Sequence, residues 1–280
     1  RVGLRQRRRV FEEDLRELAH DESLAFEPRE RRASELADRV DVLVDQIRVL
    51  RALVAEPLLV VAISNDLVVV ARLPFLPEDV HGNLVVVVPF VWLGSPAEGE
   101  SLLKPLRDAS PAHGEAIGMH PWVAWQSGFD ALVDHGARNY WKSHQLMNLS
   151  DGCIDKVLEY AVRFPSEEVE VFIPHLEGAP CRIPETETAF AHRDTPFLLN
   201  IHTRWRDAAA DERCLTWVRE FHDATREYAK GVYVNFISQE GEARVRDAYT
   251  PEVWDRLVKV KNKWDPDNLF RINQNIKPSG

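Results

Sequence analysis

Residues 231–236 read GVYVNF and residues 263–276 read KWDPDNLFRINQNI, and these two stretches are the most informative in the chain. The first is short, apolar and β-branched, which predicts a strand. Alternation along a strand would place Tyr233 and Asn235 on one face and Val234 and Phe236 on the other. An inward-facing amide needs hydrogen-bond partners, so Asn235 is either a structural residue or a ligand contact.

The second stretch carries a turn followed by a run of amides. Residues 265–268, DPDN, are typical of a turn, and Asn273, Gln274 and Asn275 follow them. Amide side chains can hydrogen-bond the neutral carbonyl and N–H edges of a bound ring. On composition alone, however, a turn-rich C-terminal loop is the simpler interpretation of this run.

The rest of the chain shows strand and helix patterns in mixed order. Short apolar runs predict strands at residues 58–63, 67–73, 84–93, 169–176 and 197–205. Apolar periodicity predicts amphipathic helices over residues 33–54 and 211–229. Capping patterns predict two more helices that begin at Ser150 and Thr250. This order favours an α+β fold, with an antiparallel or mixed sheet covered by helices on one face.

Composition and charge exclude several classes of protein. The 280 residues are 45% hydrophobic, which suits a globular chain with a core, and the net charge of −10 argues against a nucleic-acid partner. The longest apolar run, residues 84–93, is too short for a membrane span of about 20 residues. Three scattered cysteines favour a reducing, cytoplasmic compartment. A zinc site is not predicted, because spacing is irregular among His113, His120, His135 and His144.

One predicted strand carries an unusual row of polar side chains. Along residues 197–205, alternation places Leu198, Asn200, His202 and Arg204 on one face. The default interpretation of such a face is exposure to solvent. The other interpretation is a substrate pocket, in which Asn200 or His202 binds the substrate or accepts a proton.

The two C-terminal stretches resemble the end of the FAD-linked oxidases related to berberine bridge enzyme, which are PCMH-type flavoproteins. The resemblance extends over roughly residues 67–278. It is carried by five further motifs, at residues 73–82 (LPFLPEDVHG), 126–130 (QSGFD), 140–143 (YWKS), 149–151 (LSD) and 189–193 (AFAHR).

The resemblance implies both a domain organisation and a cofactor site. Residues 1–26 would be a remnant of the flavin-binding domain, residues 27–228 the substrate-binding domain, and residues 229–280 a segment returning to the flavin domain. The cofactor would be FAD. The residues in contact with the flavin or close to it would be Tyr233, Asn235, Asn273, Gln274 and Asn275.

The implied function is that of an FAD-dependent oxidoreductase that transfers hydride from a small organic substrate to flavin. Many members of the family have a catalytic tyrosine where this chain has Phe236, whose ring cannot take a proton, so any base must come from elsewhere. The flavin-binding half of such enzymes has no counterpart in this sequence, which predicts an incomplete chain. The alternative is a non-catalytic remnant that binds a small molecule or a protein. An exposed face where the flavin domain would dock predicts self-association.

Overall fold

The computed structural model describes residues 65–70 and 76–279, with short gaps at residues 110–111, 129, 131–133, 177 and 239. Three sequence-based predictions lie outside these residues: the flavin-domain remnant at 1–26, the helix at 33–54 and the strand at 58–63. Within the described ranges, no helix has the length and apolar character needed to cross a membrane.

The described chain is built on one sheet. Its strands are β1 (Asn65–Val70), β2 (Leu84–Val87), β3 (Arg138–Leu146), β4 (Glu170–Pro174), β5 (Phe197–Trp205) and β6 (Ala229–Gly231). They lie in the order β2-β1-β4-β5-β3-β6, and neighbours pair antiparallel throughout.

Helices separate the strands along the chain. They are α1 (Pro96–Ala109), α2 (Trp122–Gln126), α3 (Asp151–Ala161), α4 (Ala179–Arg182), α5 (Asp211–Ala224), α6 (Glu242–Asp247) and α7 (Pro251–Trp264). The α+β class, with an antiparallel sheet and helices, is confirmed.

The main core lies between the sheet and the helices α3 and α5. Alternate residues of β5, Leu199 and Ile201, point into it because side chains alternate between the two faces of a strand. They pack with apolar side chains of neighbouring strands and of both helices: Leu146, Val171, Ile154, Val157, Leu158, Val218 and Phe221. Since this core takes one face of the sheet, the remaining side chains of β3, β4 and β5 point to the opposite face.

Several predicted boundaries are confirmed. The strand at residues 197–205 is β5, and the capped helices are α3 and α7. Ser150 Oγ accepts a hydrogen bond from the Cys153 backbone N–H (3.2 Å), and Thr250 Oγ1 accepts one from Val253 (3.3 Å). Both are N-cap bonds that satisfy donors at a helix start.

Two strand predictions are wrong in part. The strand predicted at residues 84–93 ends at Val87, because Pro89 has no N–H to donate to a ladder. The stretch at residues 231–236 is a strand only at Gly231, where β6 ends. Val234–Phe236 instead forms a turn of 3₁₀ helix, in which the Phe236 N–H donates to Tyr233 O at 2.9 Å. The strand alternation expected for Tyr233 and Asn235 therefore does not apply.

Candidate functional site

The face of the sheet opposite the main core carries a group of polar and aromatic side chains, here called the polar face. It comprises Asn139, Trp141, Ser143 and Gln145 of β3, Glu170 and Phe172 of β4, and Leu198, Asn200, His202 and Arg204 of β5. The strand register places them side by side. Asn200 lies opposite Ser143 and Phe172, and His202 lies opposite Trp141 and Glu170.

The centre of the polar face is buried, although Asn139 at its end is exposed. The default interpretation of solvent exposure is therefore wrong for Asn200 and His202. Asn200 and His202 are each 7% exposed, and Gln145 is 1% exposed. Buried polar side chains cost free energy unless hydrogen bonds compensate for lost hydration. The partners of each side chain therefore indicate what it does.

His202 is held between two oxygen atoms from neighbouring strands. Its Nδ1 lies 2.8 Å from Glu170 Oε1, and its Nε2 lies 3.1 Å from Asn139 Oδ1. The Asn139 amide is oriented by its own Nδ2, which donates to Ala137 O at 2.9 Å. Because each ring nitrogen lies within hydrogen-bond distance of an oxygen from a different strand, the two contacts fix the orientation of the ring. The edge of the Trp141 ring completes the surroundings at 5.1 Å between ring centroids.

Asn200 has a different environment. Among the described residues, no hydrogen-bond partner is found for its buried Oδ1 or for Gln145 Oε1 on the neighbouring strand. Ser143 lies opposite Asn200, and its Oγ donates to Phe236 O at 3.1 Å. The 3₁₀ turn that contains Asn235 is thereby fixed beside Asn200.

Further bonds fasten residues 233–238 along the free edge of β3. Ser238 Oγ donates to Trp141 O at 2.7 Å, and Asn235 Nδ2 donates to the Tyr233 hydroxyl at 2.7 Å. Gln274 Nε2 donates to Ile237 O at 2.7 Å, which ties the C-terminal amide run to the same segment.

The structure thus brings most of the sequence-predicted site residues to one place. Tyr233 and Asn235, and Gln274 bonded to Ile237, lie along the edge of β3, and Asn200 and His202 lie on β5, the strand on the other side of β3. Asn273 and Asn275 lie on either side of Gln274 in the sequence. Asn273 is exposed with φ of +64°, and the Asn275 N–H donates to the Asn273 carbonyl at 2.9 Å.

The AFAHR motif has a structural part in this arrangement. The Phe190 ring meets Tyr233 edge-on, with 5.7 Å between ring centroids. His192 adopts a left-handed backbone with φ of +56°, and its Nε2 lies 2.9 Å from Asp247 O. Its ring covers Gly231, where a Cβ would be only 2.5 Å from Nε2. Gly231 is therefore required for this close approach.

Sequence reasoning did not predict the six residues that β3 and β4 contribute to the polar face, among them Asn139, Gln145 and Glu170. They come from β3 and β4, and their contacts to β5 depend on strand register, which has no local signal. The alternation that revealed Asn200 and His202 could also have flagged Glu170 on the strand predicted at residues 169–176. No group of histidines, cysteines or carboxylates arranged for a metal ion is found in the described part of the chain.

Comparison with known proteins identifies a family that matches the C-terminal part of the chain. Residues 232–277 match the family described as "Berberine and berberine like". The resemblance to berberine-bridge-enzyme-like flavoproteins is confirmed. The chain is 25% identical over 210 residues to the FAD-linked oxidoreductase YgaK of Bacillus subtilis, covering 74% of this chain and 46% of YgaK.

Solved structures show the same fold. 6-Hydroxy-D-nicotine oxidase from Arthrobacter nicotinovorans superposes with a TM-score of 0.66 at 22% identity, over 87% of this chain and 52% of that one. BBE-like 28 from Arabidopsis thaliana gives 0.67 at 14% identity, over 86% and 55%. The chain therefore spans about half the length of these relatives.

Proposed function

We propose that this chain forms the substrate-binding part of an FAD-dependent oxidoreductase, with the polar face as one wall of the substrate pocket. The observation that carries the proposal is the hydrogen bond from Ser143 Oγ to Phe236 O. This bond joins Ser143, which lies opposite Asn200, to the turn that contains Asn235, a residue that the family resemblance places in contact with the flavin. The FAD-linked names of YgaK and other relatives support redox chemistry.

The side chains at the edge of β3 carry hydrogen-bonding groups of the kind that one edge of a flavin ring needs. The polar edge of that ring consists of neutral carbonyl and N–H groups, which amides can match as donors and acceptors. Asn235 and Asn273 are exposed, and Gln274 is fixed beside them. We propose that Tyr233, Asn235, Asn273, Gln274 and Asn275 hold this edge, and that the bound flavin supplies the hydride acceptor.

Asn200 and His202 would act on the substrate. Asn200 has a side-chain oxygen with no hydrogen-bond partner among the described residues, so it can bind and orient a donor group of the substrate. The His202 ring is fixed by two side-chain oxygens, so it can bind a polar group of the substrate or accept a proton from it. Glu170 and Asn139 are the positioning residues for this ring.

A titration of the 280-residue chain with FAD tests the proposal. We expect protein that retains flavin after desalting and changes the flavin fluorescence on binding. Asn235→Ala should weaken binding by about tenfold, the equivalent of one lost hydrogen bond. The matched control is Asn83→Ala, because Asn83 precedes β2 at the opposite edge of the sheet.

Two results would contradict the proposal. One is colourless protein that takes up no added FAD, which favours the alternative of a non-catalytic binding module. The other is flavin binding that Asn235→Ala and Asn83→Ala weaken equally, which would place the flavin away from β3.

A further inference from the structure

One arginine and two histidines attach α6 to the sheet and to α5. Arg244 of α6 donates from Nη2 to Ser143 O of β3 at 2.9 Å. The same nitrogen lies 3.2 Å from His222 Nε2 and 3.5 Å from His144 Nδ1. The two imidazole rings stack with 4.0 Å between their centroids, and His222 and His144 are 4% and 1% exposed. Arg244 therefore faces acceptors on both β3 and α5.

This arrangement requires both rings to be neutral. A guanidinium has only donors, so the ring nitrogens that face Arg244 must present lone pairs to it. His144 Nε2 lies 2.8 Å from His222 O, which assigns the ring proton of His144 to Nε2 and leaves its Nδ1 as an acceptor. Burial is the main cause that lowers the pKa of both histidines, to about 4 for His144, and the Arg244 charge lowers it further.

Other charged groups face the three side chains from each neighbouring element. They are three acids and two further cations: Asp223, Glu240, Asp247, Lys142 and Arg226. Glu240 pairs with Lys142, and the side chains of Asp223 and Asp247 are more than half exposed. These acids are thus either paired or largely in solvent, so a proton on a ring would face the Arg244 charge with little compensation.

We propose that Arg244, His144 and His222 form a pH-sensitive clamp, which holds α6 on β3 while both rings are neutral and opens when a ring takes up a proton. A protonated His222 would direct an N–H at Arg244, so an attraction becomes a repulsion between two cations 3.2 Å apart. Opening admits water, in which the rings can carry charge. Residues 232–241 join β6 to α6, so an open clamp also loosens the turn that contains Asn235.

Hydrogen exchange on the full chain between pH 7 and pH 5 tests the clamp. The inference goes beyond the proposed function and does not depend on it, because the measurement needs no flavin. In α6 and directly after it, the buried amides of Val245 and Ala248 donate to Gly241 O and Val245 O. Their rates are corrected for the pH dependence of free amides and compared with those of α3, which lies in the main core.

We expect the protection of α6 to fall about tenfold for each pH unit below 6.5, the effect of one proton bound on opening. At every pH α6 should remain less protected than α3, because the clamp opens while the core stays folded.

Two variants separate the charge of the rings from the bond of Arg244. The double variant His144→Gln, His222→Gln keeps a donor and an acceptor in each side chain but cannot titrate, so its α6 should stay equally protected from pH 7 to pH 5. Arg244→Leu removes the guanidinium, so α6 should lose about tenfold in protection at pH 7. The matched control is Arg246→Leu, because Arg246 is exposed on the same helix and lies over the Trp254 ring. It should change the protection by no more than about threefold.

Three results would overturn the inference. One is α6 protection in the parent that is constant from pH 7 to pH 5, or that equals the protection of α3 at every pH. Another is a double glutamine variant with the slope of the parent, which would place the titrating group elsewhere. The third is an Arg244→Leu variant protected as well as Arg246→Leu. If the double variant lacks protection in α3 at pH 7, it has not folded, and the parent profile and the two arginine variants decide.

Discussion

At the scale of single residues, two buried histidines, His144 of β3 and His222 of α5, form a stacked pair on the helix side of the sheet. His144 and His222 stack with 4.0 Å between ring centroids, and His144 Nε2 lies 2.8 Å from His222 O. The Arg244 guanidinium lies 3.5 Å from His144 Nδ1 and 3.2 Å from His222 Nε2. Burial lowers the pKa of His144 to about 4, and burial lowers the pKa of His222 as well. Both rings are therefore neutral in the folded protein.

The buried pair predicts a loss of stability in mild acid. Histidines in the unfolded chain titrate near 6.5, so between pH 6.5 and 4 the unfolded chain binds more protons than the folded one. The stabilisation is complete above pH 6.5 and falls as the pH drops toward 4. Each ring contributes a slope of about 1.4 kcal/mol per pH unit. Denaturant unfolding at a series of pH values measures this slope.

His222→Phe keeps an aromatic ring against His144 and removes one titrating group, so its slope should be smaller. Other charged groups near the pair, Lys142, Arg226, Asp223 and Glu240, remain unchanged in this variant. His120→Gln is the control, because His120 is exposed. Equal slopes in the parent and His222→Phe would refute the account of the pair.

Sequence alone identified the part of the polar face that β5 contributes. Asn200 and His202 stand out because three polar residues alternate along an otherwise apolar strand. Their burial could not be predicted, since it depends on what covers the strand. Nor could the hydrogen-bond partners of His202, because Glu170 and Asn139 reach it from two different strands.

At the scale of elements, β6 and the segment after it depend on one close contact. The His192 ring lies against Gly231, and its Nε2 lies 2.9 Å from the Asp247 carbonyl oxygen. The ring therefore connects β6 to the end of α6, and it cannot move away from Gly231 without losing this partner.

Gly231→Ala should therefore destabilise the protein by about 1–3 kcal/mol, the usual cost of overpacking. A Cβ there would lie 2.5–2.8 Å from three atoms of the His192 ring. Denaturant unfolding measures the change. The control is Gly118→Ala, where the nearest atom is 3.9 Å from the added Cβ. A Gly231→Ala variant as stable as Gly118→Ala would show that His192 does not occupy this position.

Elements with strong local signals could be predicted from the sequence, and the others could not. Caps at Ser150 and Thr250 fixed the starts of α3 and α7 because side-chain oxygens bond to backbone donors within one turn. β3 was missed because both of its faces carry polar groups, which leaves no alternation to detect. On one face Ser143 and Gln145 belong to the polar face, and on the other Lys142 pairs with Glu240.

At the scale of the whole molecule, the C-terminal end exposes large apolar side chains. Trp264, Phe270 and Ile272 are 73%, 78% and 85% exposed. An exposed apolar patch is typical of an interaction surface. Self-association through this face stays a prediction, as do the domain boundaries at residues 27–228 and 229–280. β6 lies at the start of residues 229–280 and pairs with β3, so this segment is attached to the same sheet that carries the polar face.

Fluorine NMR on 5-fluorotryptophan-labelled protein tests most directly whether the polar face borders the flavin. The chain has eight tryptophans. Trp141 lies on the polar face, and Trp217 lies in the core between α3 and α5. Signals are assigned with Trp141→Phe and Trp217→Phe. On addition of FAD, we expect the Trp141 signal to shift and the Trp217 signal to stay in place. A Trp141 signal that does not move while FAD binds would contradict the account.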